Sequence, residues 1–247
     1  MAVTVEPVYC IDKERASLNI ERAAMSNILK VLQERPETQA KFLPIKQIDT
    51  DTLPEDKEIA EAYEFVRKSV MIGSQYIFLA KAAACYPGIE MGIEKPSGEF
   101  SGCYEAIEMF GKLIHVNDTW RIDTEHSARE LCVLFGNISF PIIMKTELDM
   151  LKNIHEWHYE DVMSNIWFCH NPIDGKPCGK CRPCEQKMEC GMEWLLPAEA
   201  HVRYRRHKKL EAAMKIPVAG IMLRAMRKVY RVARGILRSL RGKTLGN

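Results

Sequence analysis

Several things that this 247-residue chain lacks narrow what it can be. No run of eighteen or more uninterrupted apolar residues occurs, so no ordinary membrane-spanning helix is expected. Met1 is followed by Val3, Val5, Glu6 and Pro7, with no basic opening and no long apolar stretch, so a secretory leader is not expected. There is no internal repeat and no low-complexity linker. Acidic residues nearly vanish from the end of the chain. Between His201 and Asn247 a single acid, Glu211, faces fourteen Lys and Arg, which leaves 21 basic and 32 acidic residues in the first 200. The net charge of +2 therefore hides an acidic body of about −11 and a basic tail of about +13. A 47% apolar content is that of a globular protein with a real core. The length suits one domain of ordinary size plus an appendage.

Four of the nine cysteines fall in one short run, Cys169-His-Asn-Pro-Ile-Asp-Gly-Lys-Pro-Cys178-Gly-Lys-Cys181-Arg-Pro-Cys184. Two overlapping C-x2-C steps share Cys181, and such a step turns two thiolates onto one ion while backbone amides screen the sulfur charge. Pro172, Gly175, Pro177, Gly179 and Pro183 supply the turns of a tight knuckle. Tetrahedral Zn2+ held by Cys169, Cys178, Cys181 and Cys184 is the natural occupant. Iron–sulfur clusters also take four cysteines, but their usual runs are spaced differently. Free or disulfide-paired thiols are the plain alternative. His170 could replace a thiolate, although four cysteines already complete a tetrahedron. Cys10, Cys85, Cys103, Cys132 and Cys190 are scattered and read as buried reduced thiols. A reducing, cytoplasmic setting suits both groups.

Along the chain, Val3 to Cys10 alternates and reads as a strand, followed by a helix from Asp12 to about Gln33. Phe42 to Ile48 predicts a second strand, Glu55–Lys68 and Tyr76–Cys85 predict helices, and Ile89 to Glu94 a short third strand. Ser101 to His115 reads as helical and Ser139 to Met144 as a buried strand. A helix from about Thr146 to Glu156 follows, with no capping box between Met144 and Glu147 to fix its start. Glu185 to Trp194 reads as the helix leaving the cysteine run. Strands alternating with helices predict an α/β fold with a mainly parallel sheet. The expected organisation is an α/β domain over 1–164, a zinc-binding region over 165–200 and a basic helical tail over 201–247.

With these pieces in place the chain resembles the 7-cyano-7-deazaguanine synthase family, in the PP-loop ATP-pyrophosphatase branch of adenine-nucleotide α-hydrolase-like proteins. The Lys-Pro-Cys178-Gly-Lys-Cys181-x-x-Cys184 core carries most of the resemblance. Pro141-Ile-Ile-Met-Lys145-Thr-Glu-Leu, Ile77-Phe-Leu-Ala-Lys-Ala-Ala-Ala84 and Glu6-Pro-Val-Tyr-Cys-Ile-Asp12 are similar to further family segments over about residues 3–190. The resemblance implies a three-layer parallel-sheet fold with a structural Zn2+, and ATP and Mg2+ as cofactors. It also implies a 7-deazaguanine substrate with ammonia, and a homo-oligomer. In the family, ATP activates the carboxylate of 7-carboxy-7-deazaguanine, ammonia gives the amide, and a second activation dehydrates it to the nitrile.

The departures are specific. The family's Ser-Gly-Gly-x-Asp-Ser loop, whose amides wrap the pyrophosphate of ATP, occurs nowhere in this chain. Ser97-Gly98 and Ser101-Gly102 read as turns. Lys13 to Ser17 stands where the family has a Tyr-Gly-Gln-Arg-His-like segment. The loop-bearing strand is central in family sheets, and its loss would expose backbone and apolar faces. It is expected upstream of Met1, on a companion chain, or to be replaced by a rearranged fold. The alternative is a non-catalytic, zinc-stabilised relative acting as a binding or assembly module. Candidate cofactor-binding residues are Asp12, at the end of the first strand, and Lys145, carried by the resemblance; helix capping and a surface lysine are their plain readings. His155 and His158 could face one metal but read as a solvated helix end. From Val218, Met222, Met226, Val229, Ala233, Ile236 and Leu240 line one helical face, with arginines opposite. Such a tail suits an acidic protein surface, nucleic acid phosphates or an anionic membrane.

Overall fold

The computed structural model describes residues 3–96 and 102–215. The amphipathic tail read from Val218 onward, Ser97-Gly98 and Ser101 lie outside the described residues. The chain divides into two compact units, Met1–Trp167 and Phe168–Asn247.

The first unit is mixed α/β. Its opening strand is two short pieces, β1 (Thr4–Val5) and β2 (Val8–Ile11), because Pro7 has no amide to donate to a ladder. The next strand is divided in the same way by Pro44, into β3 (Lys41–Phe42) and β4 (Lys46–Asp49). β1 runs parallel to β3 and β2 to β4. Val5 faces Phe42 and Val8 faces Lys46, so two residues oppose three across the gap, a bulge. Between the two strands lies α1 (Leu18–Glu34). It starts later than its periodicity suggests, because the Asp12 carboxylate accepts from the Glu14 amide and holds Asp12–Arg15 in a turn.

A 3-10 turn (Thr50–Thr52) leads to α2 (Lys57–Arg67), capped by the Asp56 carboxylate on the Ile59 amide at 3.1 Å. α3 (Gln75–Cys85) ends before Pro87-Gly88, where Gly88 takes φ +84°. β5 (Ile89–Glu90) follows. The helix expected to reach His115 stops as α4 (Gly102–Phe110). Gly111 ends it, and a Cβ there would strike Leu131 and Ser127. The chain then forms a hairpin absent from the sequence reading, β6 (Leu113–Val116) and β7 (Thr119–Ile122). Asn117 and Asp118 turn it with φ +48° and +62°, the pattern of a type I′ turn. α5 (Arg129–Phe135), also absent from that reading, leads to β8 (Ile138–Phe140). Pro141 stops β8 three residues in, so Pro141–Met144 is a turn and not the second half of a strand.

These strands form a four-stranded sheet in the order β5-β8-β7-β6. Only the β5–β8 pair is parallel; β8–β7 and β7–β6 are antiparallel. The strands thus form small parallel ladders and a mixed sheet, where one mainly parallel sheet was expected. The core gathers Val66 of α2, Ile107 of α4, Leu131, Leu134 and Phe135 of α5, and Ile138 and Phe140 of β8, all essentially inaccessible. Phe135 meets Tyr76 edge-on at 5.4 Å.

α6 (Glu147–Glu156) and α7 (Glu160–Met163) end the unit. α6 does have a capping box, two residues along from the position considered in the sequence. The Thr146 hydroxyl accepts from the Asp149 amide at 3.1 Å, and the Asp149 carboxylate accepts from the Thr146 amide at 2.8 Å. The second unit holds α8 (Arg182–Glu189), a 3-10 turn (Glu193–Leu195) and α9 (Ala198–Lys215). α9 runs unbroken through position 200, where the sequence suggested a boundary. Among the described residues no helix is long and apolar enough to cross a membrane.

The capping box carries a pH signature. Hydrogen bonds from the Thr146 hydroxyl and amide hold the Asp149 carboxyl below its usual range. A depressed acid stabilises the fold above its unfolded pKa, about 3.9, and loses that contribution as pH falls through the folded value. Thr146→Ala should therefore lower Tm by about 2–4 °C at pH 7. The gap to the wild type should narrow below about pH 4, down to the share that comes from the Asp149 amide's bond to the Thr146 hydroxyl, as read by circular dichroism melts at both pH values.

Candidate metal centre

Glycine and proline build the knuckle locally. After β8 and the short helices, Cys169 enters a stretch in which Ile173 and Lys176 pair, each amide bonded to the other's carbonyl at 3.0 Å. Asp174 and Gly175 turn it with positive φ, 51° and 73°. Gly179, φ +73°, makes the reversal between Cys178 and Cys181. Pro183 then starts α8 in its first turn, where a missing amide costs nothing. Cys181 caps that helix and Cys184 sits inside its first turn.

The four sulfurs converge. Every pair lies within 4.8 Å, and three separations are 3.4 Å (Cys181–Cys184), 3.8 Å (Cys169–Cys181) and 4.0 Å (Cys178–Cys184). A tetrahedron of thiolates at the zinc–sulfur bond length has edges of about 3.8 Å. A disulfide needs about 2 Å, and none of the nine cysteines is in a disulfide. Cys169, Cys178 and Cys184 are fully buried and Cys181 half-buried. Amides point at the sulfurs: Cys178 N–H at Cys169 Sγ (3.2 Å), and Cys181 and Lys180 N–H at Cys178 Sγ (3.2 and 3.4 Å).

The thiols do not titrate alike. The hydrogen bond with Cys184, helped by the amides of Cys184 and His170, brings Cys181 down to about 4 against the pull of burial. That same bond, and burial after it, push Cys184 far up, while burial pushes Cys169 up to about 11. A helix N-terminus adds to the preference for a thiolate at Cys181. Four close, buried sulfurs with donated amides can hold a metal ion. The donor set is soft and closed, with no position left open for a substrate.

No family model, no curated protein and no solved structure matches this chain. Its chemistry must be read from its own side chains.

α9 braces the knuckle. Arg203 donates from Nε to the Cys178 carbonyl at 2.8 Å and from Nη2 to the Pro177 carbonyl at 3.0 Å. Ala200, fully buried, lies against Gly179 so closely that a Cβ on the glycine would come within 2.7 Å of the Ala200 carbonyl carbon. His201 meets the Glu193 and Leu196 carbonyls at 3.1 and 3.2 Å. The sequence reading missed Arg203 as a brace, because a basic run offers no signal that singles out one arginine.

The other candidates, Asp12, Lys145, His155 and His158, belong to the Met1–Trp167 unit. Asp12 Oδ1 accepts from the Glu14 amide at 3.0 Å, which holds the turn before α1; the helix itself has Ser17 at its N-cap, so Asp12 does not cap it. Lys145 is exposed just past the turn that follows β8, whereas Asp12 follows β2. At the carboxyl ends of β2 and β4, Lys13 bridges Asp49 and Asp51 at 2.8 and 2.7 Å. His155 pairs with Glu160 at 2.8 Å, and His158 takes φ +54° just past the helix end. Those two histidines serve a helix terminus.

Gly179→Ala tests the knuckle geometry. It places a side chain at positive φ against the Ala200 backbone, so it should weaken metal binding about 10- to 100-fold, as loss of supporting contacts does elsewhere. Competition with a chromophoric chelator measures this, and Lys180→Ala, which keeps the backbone, should change it little.

Proposed function

We propose that Cys169, Cys178, Cys181 and Cys184 hold a structural Zn2+, and that the chain is a 7-cyano-7-deazaguanine synthase-like protein. The observation that carries this is the four-sulfur knuckle with zinc-like spacing, following a mixed α/β unit that contains parallel strand pairs. Bound there, zinc supplies charge neutralisation and a cross-link for Phe168 to α9, with no redox step. Among its described residues the second unit has few buried apolar side chains besides its cysteines, namely Met192, Leu196 and Ala200. A small core of that kind commonly needs a metal.

The expected three-layer parallel sheet is proposed on the strength of β2. It pairs with β4 along one edge, and among the described residues no strand lies along the other. Alternate residues of β2 direct their amide and carbonyl groups to that open side. Val5 and Val8 are exposed beside it. Two-stranded parallel ladders are rare because parallel strands are stable inside covered sheets. A loop-bearing strand docking on β2 would satisfy those groups and bring the pyrophosphate-binding amides that Asp12 and Lys145 do not provide. The substrate in this reading is 7-carboxy-7-deazaguanine, with ATP, Mg2+ and ammonia.

A second reading is a zinc-stabilised module without ATP chemistry, which assembles through its basic end. It is favoured by the use of Asp12, Asp49 and Asp51 in a turn and in ion pairs with Lys13. Those carboxylates stand where a nucleotide-binding relative would turn its ligand groups.

Metal analysis of the purified chain should find one tightly held zinc. Stripping it should abolish the cooperative unfolding of residues 168–215, since structural zinc contributes on the order of 10 kcal/mol in small metal-folded peptides. Retained protection of α8 and α9 amides without metal would remove the structural role. For the synthase reading, the chain is mixed with 7-carboxy-7-deazaguanine, Mg-ATP and ammonia, with and without a co-expressed Ser-Gly-Gly-x-Asp-Ser segment. Nitrile should form only with that segment. If both mixtures stay silent while the zinc remains bound, the module reading replaces the synthase.

A further inference from the structure

A second cluster in the Phe168–Asn247 unit has the makings of another metal site. Glu185 of α8 and His207 and Glu211 of α9 each bring one ligand atom to a common point, all within 4.8 Å of one another. His207 Nε2 lies 3.4 Å from Glu185 Oε1 and 3.4 Å from Glu211 Oε1. Nitrogen and oxygen ligands at zinc bond lengths, about 2.0–2.2 Å, stand about 3.3–3.6 Å apart around a tetrahedral ion. Both measured edges fall in that interval. His207 and Glu211 are four apart on one helix face, and Glu185 comes from a different helix.

Glu185 supplies an independent sign of a missing ligand. The residue is 8% exposed, and its Oε1 is buried and makes no hydrogen bond; its one close polar neighbour in the cluster is His207 Nε2. An unsatisfied buried carboxylate oxygen costs free energy. The nearby cations do not reach it well. Arg182 Nη1 and Lys208 Nζ stand 3.6 and 3.8 Å from the other oxygen, Oε2. Lys208 makes its close contact elsewhere, at 2.9 Å to Glu189 Oε1, and lies 3.9 Å from Glu211 Oε2. Arg182 also faces Glu189 Oε2 at 3.7 Å. Arg182 and Lys208 are thus shared among Glu185, Glu189 and Glu211, and neither makes a close contact with Glu185.

We infer that Glu185, His207 and Glu211 form a second binding site, for a divalent transition-metal cation such as Zn2+. The donor set is one imidazole nitrogen and two carboxylate oxygens, harder than the four thiolates. Three protein ligands leave a fourth position for water or an oxygen-donor ligand. Glu211, the more exposed acid, closes onto the ion on binding. The site joins α8, which carries Cys184, to α9, which carries Arg203. Occupancy therefore stiffens the brace of the knuckle, and the site stands on its own residues whether or not the synthase reading holds.

The test titrates Zn2+ into the full chain, with the tight equivalent already bound. A second, weaker equivalent is expected in the wild type. His207→Gln and Glu211→Gln should each weaken it at least tenfold and leave the first equivalent in place. Co2+ separates the sites: the thiolate centre gives sulfur-to-metal charge-transfer bands, whereas the second adds weak visible bands alone. Lys208→Ala is the variant that does not depend on removing a ligand, and by relieving repulsion it should tighten the second equivalent. One equivalent only in the wild type overturns the proposal. So does a second equivalent that survives His207→Gln and Glu211→Gln unchanged, or a Lys208→Ala variant that binds no tighter. If a ligand variant loses both equivalents through misfolding, the Lys208→Ala result decides.

Discussion

Four ionised sulfurs held within 4.8 Å of one another repel strongly, and the repulsion grows as water is excluded. A neutral cluster of thiols avoids that cost but loses the charge-assisted pull of the amides from Cys178, Lys180 and Cys181. A divalent cation at the centre resolves both problems, because it makes thiolates favourable and turns the amide hydrogen bonds into stabilising ones. The rest of the second unit follows from this. Gly179 is at positive φ so that the chain can reverse between Cys178 and Cys181. Residue 179 has no side chain because the reversal packs against the Ala200 backbone, and Arg203 satisfies the carbonyls of Pro177 and Cys178. Among the described residues of this unit the buried apolar side chains besides the cysteines are few, Met192, Leu196 and Ala200, so apolar burial holds this part only weakly.

The first unit is held in a different way. Phe135, Phe140, Ile107 and Leu131 form a core of ordinary density, to which α2, α4, α5 and β8 all contribute. Its weak region is the ladder of β1 to β4. Pro7 and Pro44 interrupt both strands at nearly the same level, and the resulting bulge concentrates twist where pairing is already lost. Such a ladder gains most from another strand along β2. The proposals of a synthase and of a binding module differ in whether that edge is completed, and the zinc knuckle is common to both.

Much of this was legible in the sequence, for reasons that differ by element. The cysteine spacing signals convergence because short loops leave four side chains little choice of position. α2, α3 and α6 stand near their expected bounds because their apolar periods are clean and Asp56, Pro87-Gly88 and Thr146 punctuate them. The β6–β7 hairpin was not read, although Val116-Asn-Asp-Thr119 contains the two residues that most readily take positive φ. Apolar residues at Ile107, Phe110 and Ile114 suggested that the helix continued, and Gly111 was not weighed against them. Pro141 was likewise passed over, though a proline limits a strand within a sheet. The second cluster was invisible because Glu185 and α9 are separated by a turn whose path no local pattern encodes.

Glu211 illustrates how tertiary placement changes the meaning of composition. By count it is the lone acid in a stretch with fourteen basic residues, a detail that looks like noise. On α9, Arg203, His207 and Glu211 recur at intervals of four and so share one stripe. The stripe changes chemistry as it moves along the helix. Arg203 reaches the carbonyls of the knuckle, His207 lies beside buried Glu185, and Glu211 stands on the other side of the same imidazole. α8 presents the matching sequence in reverse sense: Cys184 and Glu185 are adjacent and therefore about 100° apart around the helix. One faces the sulfur centre while its neighbour faces the stripe. A helix pair of this kind passes strain between the two clusters directly, because a shift that opens Glu185 from His207 must also move Cys184 relative to Arg203.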